Sequence, residues 1–228
     1  MLREDNQHKI NLLSELDSEE LAEVLRFAVV HTYDRRDVLY LPGDERSHLY
    51  LLLEGMVKLV RLSEDGREII IATAEAGELF GELAIITTIE HETMAEMMTP
   101  GRVATIGVES FRELISSMPK LSFLMARIIG ARRRMLESKI EDLAFRNVPA
   151  RLAKFLLEQA ASTGMTAGGT IRLPTRFSQQ EIGSMIGSTR ETTSHFLNDF
   201  RKSGLIDFDK RLIDILNPSR LAELSGAI

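Results

Sequence analysis

"FSQQEIGSMIGSTRETTSHFLNDFRKSGL", residues Phe177–Leu205, decides how the rest of the chain is read. Ser178-Gln179-Gln180-Glu181 has the spacing of a capping box. The serine hydroxyl closes the first turn of a helix and the glutamate three residues on returns the bond. Ile182, Met185 and Ile186 supply the inner face of that helix. Gly187 suits a left-handed turn. Ser188-Thr189-Arg190-Glu191 repeats the box, so a second helix is expected at once, with Ser188 as its cap. Thr193, Phe196, Leu197 and Phe200 form its inner face, and Gly204 ends it. Two helices joined by a tight glycine turn make a helix-turn-helix.

This arrangement leaves Thr189, Arg190, Glu191, Ser194, His195 and Asn198 pointing outward near the start of the second helix. Arg190, Glu191, Ser194 and His195 are the candidate base-reading side chains, because the front of a recognition helix meets base edges in a major groove. Arginine grips guanine O6 and N7 with two bonds, and glutamate accepts from cytosine N4. Ser178, Gln179, Thr189 and the helix N-termini suit phosphate oxygens. After Gly204, "LIDF" and "LIDIL" read as two short strands about the turn "DKR". They form a wing whose tip would bring Lys210 and Arg211 to the DNA backbone.

Upstream, Lys120–Phe145 reads as one long helix. Leu121, Leu124, Met125, Ile128, Met135, Leu136, Ile140 and Leu143 recur at three and four residues. At 1.5 Å per residue it would span ~39 Å, with a stripe wide enough for its own domain and a second copy of the chain. Pro149 disfavours a helical Val148, which places a hinge at residues 146–150. A further helix follows, then a flexible loop at Thr163–Thr170. Earlier still, "DSEELAEVLRFA" (Asp17–Ala28) has a capped, amphipathic helix start. Between Asp37 and Val108, short apolar stretches broken by turn residues predict a rolled antiparallel sheet, with Asp65–Gly66 as a hairpin signal. The domains expected are 1–119, 120–145 for the long helix, 146–150 for the hinge, and 151–228.

Composition narrows the function. Residues 151–228 hold ten Lys+Arg against eight Asp+Glu, whereas the remainder holds eighteen against twenty-six. An acidic front and a mildly basic rear assign any anionic partner to the rear. With no cysteine, disulfides, thiolate-held iron–sulfur clusters and cysteine zinc sites are excluded. No P-loop, HExxH, GxSxG or GxGxxG motif is present, so no enzyme is indicated. The first ten residues are too charged for a signal peptide and no apolar run approaches ~18 residues, so a cytoplasmic protein with no membrane segment is expected.

Phe177–Leu205 with its "RET" at Arg190–Thr192, "GREIIIATAEAGELFGELAI" (Gly66–Ile85) and "LAFRNVPARLAKFLLEQA" (Leu143–Ala160) resemble the cyclic-AMP receptor protein/FNR superfamily of bacterial transcription regulators. The resemblance covers nearly the whole chain. It implies an α+β protein: an N-terminal β-roll like a cyclic-nucleotide-binding domain, a long dimerisation helix and a C-terminal winged helix-turn-helix. It implies a homodimer on a two-fold symmetric double-stranded DNA site, with Arg190 and Glu191 on a G·C pair. RNA polymerase is implied as a partner, through a loop placed like Thr163–Thr170. Cyclic-AMP binders carry an arginine where His195 falls.

The same resemblance maps an effector pocket onto Gly81, Glu82, Leu83, Glu92, Thr93, Arg132, Leu136 and Glu137. Cyclic-AMP binders follow Gly-Glu-Leu with an Arg-Ser or Arg-Thr, and this chain has Glu92-Thr93 there. A carboxylate in that place repels a phosphate. Leu136 and Glu137 replace the paired Thr-Ser that faces the purine. Cyclic AMP in the usual mode is therefore not expected. Arg132, pairing with Glu82 or Glu92, is expected to fill the phosphate site from within. Alternatives are a cyclic nucleotide after all, another small acid, or haem with His8, His31, His48 or His91 as axial ligand. A regulatory subunit that does not bind DNA is a further alternative.

Overall fold

The computed structural model describes residues 10–64, 66, 68–87, 89–167, 169–209 and 212–226. These fall into two compact units that divide between Leu136 and Glu137, inside the long helix.

The first unit opens with two short helices, α1 (Leu12–Glu15) and α2 (Ser18–Arg26). Asp17 caps α2 in a complete capping box with Glu20. Eight strands follow: β1 (Ala28–Tyr33), β2 (Val38–Tyr40), β3 (His48–Glu54), β4 (Met56–Leu62), β5 (Glu68–Glu75), β6 (Leu79–Phe80), β7 (Met94–Met97) and β8 (Gly101–Gly107). They form two antiparallel sheets, β1-β8-β3-β6 and β2-β7-β4-β5. This is the expected roll. β4 and β5 pair from Met56↔Glu75 to Leu62↔Glu68, although Asp65 of the hairpin signal lies outside the described residues. A 3-10 turn, Glu82–Ile85, interrupts the strands. Then come α3 (Val108–Ser117) and α4 (Lys120–Phe145), the latter with the bounds read from its periodicity.

The near-continuous apolar run of β3 has a simple cause. Successive side chains point to opposite faces, and both faces are covered. Leu49 and Leu51 join a core with Leu12, Val24, Phe111, Leu114, Leu121, Leu124 and Ile128. Tyr50 and Leu52 join a second core between the sheets with Tyr40, Val57, Leu59, Phe80, Met97 and Val103. Lys58 is buried in β4, where Glu96 meets its ammonium at 3.0 Å and Glu68 at 3.9 Å.

The second unit contains α5 (Val148–Thr163), β9 (Met165–Ala167), β10 (Thr170–Leu173), α6 (Gln179–Ile186), α7 (Arg190–Lys202), β11 (Ile206–Asp209), β12 (Leu212–Ile215) and α8 (Pro218–Ser225). The helical break between α4 and α5 is narrower than residues 146–150. Asn147 caps α5, Val148 is its first residue, and only Arg146 and Asn147 are non-helical. Pro149 is tolerated because the first-turn N–H it lacks has no helical acceptor. The loop expected at Thr163–Thr170 is instead a hairpin, β9 pairing with β10. It extends the wing into a sheet of order β11-β12-β10-β9. Arg172 and Asp214 face each other across β10 and β12 and form a two-pronged bond, Nε–Oδ1 and Nη2–Oδ2 both 2.7 Å. The guanidinium holds the Asp214 carboxyl below its ordinary range.

Candidate nucleic-acid interface and effector pocket

The helix-turn-helix forms as α6 and α7. Ser178 caps α6, and the Glu181 carboxylate accepts from the Ser178 N–H at 2.6 Å, completing the box. The second box does not form. Thr189, not Ser188, caps α7, its hydroxyl accepting from the Thr192 N–H at 3.2 Å. The start shifts by one residue because Thr189 takes the extended cap conformation, which moves Glu191 out of the position that returns the bond. The shift takes Glu191 out of the cap, and its side chain is exposed.

Thr193, Leu197 and Phe200 are buried and Phe196 is half-buried, which orients the opposite face outward. Thr189, Arg190, Glu191, His195 and Asn198 are exposed, and Ser194 is half-buried beside them. The His195 side chain is 68% exposed, with Nε2 3.3 Å from Asp199 Oδ2. Ser178 is exposed and Gln179 half-buried at the start of α6. Lys210 and Arg211 lie outside the described residues.

The turn between the helices is fixed by Gly187, as expected, and by Arg151, which the sequence reading did not single out. Gly187 takes φ +65°, and a Cβ there would fall 2.5 Å from Leu143 Cδ2 on α4. Arg151 donates from Nε to the Ile186 carbonyl at 2.8 Å, from Nη2 to the Gly187 carbonyl at 3.2 Å, and from Nη1 to the Arg146 carbonyl at 2.8 Å. No local pattern marks Arg151, because two of its acceptors lie 35 and 36 residues away. Nearby, Asp142 takes Lys154 at 2.6 Å and Arg146 at 2.8 Å, tying α4 to α5.

In the β-roll, Gly81 adopts φ +76° with its α-carbon against the Tyr50 ring, and Glu82 is buried immediately after it. Arg132 meets Glu82, Nε–Oε1 3.4 Å, and donates to the Leu79 carbonyl at 3.0 Å. Of the two carboxylates expected as its partner, Glu82 is the one. Glu92 is turned away and pairs with Arg61 at 3.2 Å, both side chains more than half exposed. Thr93 bonds the Tyr40 hydroxyl. Leu83, Leu136 and Glu137 are exposed, and Glu137 belongs to the second unit.

Beside Glu82 lies an aromatic cluster that the sequence did not announce. Tyr40 stacks on His91 at 3.7 Å and contacts Tyr50 at 5.3 Å, and Tyr50 stacks on Phe80 at 5.2 Å. Its members come from four separate segments, so no spacing rule could have found it. Burial raises the Tyr40 hydroxyl and pushes Tyr50 up to about 12. Burial, with Arg46 adding and Asp44 opposing, pushes His91 down to about 4. His91 is thus neutral at pH 7, and its buried Nε2 has no hydrogen-bond partner among the described residues. Of the other histidines named for haem, His48 Nδ1 lies 2.8 Å from the Ser47 hydroxyl, His31 is exposed on β1, and His8 is outside the described residues. Among the described residues no group of three or more His, Cys, Asp or Glu is placed to hold a metal ion, and no helix is long and apolar enough to cross a membrane.

A β-roll joined by a long helix to a winged helix-turn-helix defines a class of two-module DNA-binding regulators. Residues 30–118 match the cyclic nucleotide-binding domain family, and residues 150–224 match the Crp-like helix-turn-helix domain family. The chain is 34% identical over 197 residues to the global nitrogen regulator of Synechocystis sp., covering 86% of this chain and 88% of that one. It is 30% identical over 190 residues to the CRP-like cAMP-activated global transcriptional regulator of Mycobacterium tuberculosis, covering 83% and 85%. The structure of a CooA mutant from Carboxydothermus hydrogenoformans superposes with a TM-score of 0.80 at 29% identity, covering 95% and 96%. The chain belongs to the CRP/FNR superfamily: it is a DNA-binding transcription regulator with a cyclic-nucleotide-binding-type domain, and not an enzyme.

Two outcomes follow from the geometry. Replacing Arg151 with alanine leaves three carbonyls without their donor, and should lower the urea stability of the second unit by about 2–4 kcal/mol. Arg151→Lys should recover only part, since one ammonium cannot span the same fork. For His91, the unfolded ring binds a proton below about 6.5, while the folded ring resists it down to about 4. Stability of the β-roll should therefore fall as pH drops across that window and level off below it. His91→Phe should remove that component in thermal melts run from pH 7 to 4.

Proposed function

We propose that the protein works as a homodimer on a two-fold symmetric double-stranded DNA site, read by Arg190, Glu191, Ser194 and His195 of each copy, and that cyclic AMP in its usual mode does not control it. The supporting observation is the exposed front of α7, where Arg190, Glu191 and His195 stand clear of the unit that buries Thr193, Leu197 and Phe200. Arg190 takes guanine O6 and N7, and Glu191 accepts from cytosine N4. Thr189, Ser178, Gln179 and the N–H groups opening α6 and α7 hold phosphates.

The dimer reading is supported by α4. Its front half is buried through Leu121, Leu124, Met125 and Ile128, while Leu136 and Ile140 further along are 45% and 66% exposed. A second copy of α4 covers that stripe and sets two α7 helices one turn of DNA, ~34 Å, apart. The β9–β10 hairpin is the segment proposed to meet RNA polymerase, and the site of action is the cytoplasm.

The effector reading rests on Arg132. Its guanidinium is committed to Glu82 and the Leu79 carbonyl, and the position where cyclic-AMP binders place a cationic side chain holds Glu92. A cyclic phosphate would have to compete with Glu82 for the Arg132 guanidinium.

A DNA-binding titration by fluorescence anisotropy over a salt series tests the reading. Binding to a selected two-fold site should weaken steeply with salt as counterions are released. Arg190→Ala should reduce affinity about 5- to 150-fold and relax selectivity at one G·C pair. Salt-insensitive binding, or unchanged selectivity, would refute it. Calorimetric titration with cyclic AMP should give no binding at micromolar concentrations, and micromolar affinity would overturn the effector half.

A further inference from the structure

Lys154 on α5 reaches two successive turns of α4. Its Nζ donates to Asp142 Oδ2 at 2.6 Å and to Ser138 Oγ at 3.1 Å. Glu158, one turn on along its own helix, lies 3.7 Å from the same Nζ. The other Asp142 oxygen takes Arg146 Nε at 2.8 Å. The side chains of Lys154 and Asp142 are 24% and 18% exposed, so the contact is largely shielded from water. The α4 and α5 backbones come close at few points, and long side chains make the link. A carboxylate near the C-terminal end of a helix is disfavoured by the helix dipole, so Asp142 does not serve α4 alone. An ammonium held at one point would swivel. Held at residues 138 and 142, one turn apart, it fixes the direction of α5 as well as its distance.

We infer that Lys154 is a positioning residue that sets the separation and angle of the two reading heads, and so selects the spacing of the DNA half-sites; this rests on the proposed dimer. Residues 138 and 142 stand on one face of α4, and Ile140 between them, 66% exposed, stands on the opposite face. That opposite face is the one proposed to meet the second copy. The same two turns of helix thus hold the second copy on one side and α5 on the other. One turn before Lys154, α5 carries Arg151, whose bonds fix the turn that aims α7. A link made of shielded charge rather than apolar area has strict geometry and little net worth in stability. Loss of the Lys154 ammonium therefore loosens the angle of the reading head without changing which bases it reads.

Anisotropy of the full-length protein on duplexes carrying two selected half-sites, at the optimal spacing and at one base pair more or less, tests this. One base pair moves the second half-site by about 3.4 Å and turns it by about 35°. Wild type should bind the altered spacings roughly tenfold or more weakly, since the DNA has to twist to restore the fit. Lys154→Met keeps the apolar stem and removes the donors. It should narrow that ratio by roughly three- to tenfold and leave the base preference at the Arg190 position unchanged. Asp142→Ala should narrow the ratio likewise, and the two changes together by less than the product of the single effects, because both remove one interaction. A ratio kept by folded Lys154→Met, or single effects that multiply in the double variant, overturns the inference and leaves the dimer reading intact. Wild type that binds one half-site as tightly as two overturns the dimer reading itself. Where circular dichroism melting finds Lys154→Met unfolded, Ser138→Ala, which removes one hydroxyl and no charge, carries the same expectation and the same refutation.

Discussion

A single guanidinium fixes the turn on which the reading head depends. Helix α6 ends with carbonyls that have no partner within the helix, as every helix does, and Arg151 takes two of them. Its cationic charge also lies at the negative end of the α6 dipole. The third bond, to the Arg146 carbonyl, ties the same group to the residues that follow α4. Gly187 then permits the left-handed step that no side chain could make without striking Leu143. Two residues later Thr189 starts α7. The direction in which Arg190 and Glu191 project is thus set by a short chain of contacts running from the end of α4 through Arg151 to the turn.

The β-roll shows the same logic with opposite charge. Glu82 is buried, and an isolated buried carboxylate is costly. Arg132 offsets that cost and is itself anchored on the Leu79 carbonyl. Tyr40 lies close enough to feel the fields of both. Removing either partner leaves an uncompensated buried charge, which is more damaging than the net worth of the pair. Any anion entering this pocket has to compete with Glu82 for Arg132. Because Arg132 stands on α4, that competition would act on the long helix directly.

Local rules made most of the fold legible. The period of Lys120–Phe145 gave the long helix its bounds, Ser178-Gln179-Gln180-Glu181 marked α6, and the short apolar stretches around Lys58 and Tyr50, broken by turn residues, marked strands. The errors were local too. Ser188 and Thr189 both satisfy the composition of a cap, and only the backbone conformation at Thr189 separates them. The hairpin at Thr163–Thr170 was read as a loop because small and glycine residues hide strand character that pairing with Arg172's strand supplies. The site itself was half legible. The exposed residues of α7 follow from helical periodicity, and Arg132 with Glu82 or Glu92 followed from the family resemblance together with a charge argument, the structure selecting Glu82. Arg151 and the stacking of Tyr40 on His91 were missed because each acts through partners far away in sequence, where spacing carries no information.

The long helix is where these two devices meet. Along its first half the apolar stripe is consumed by the β-roll core, down to Ile128 and Ala131. Along its second half Leu136 and Ile140 stay uncovered, while Leu143 packs on Gly187. In the proposed dimer the segment that meets the second copy is therefore the segment that supports the recognition turn.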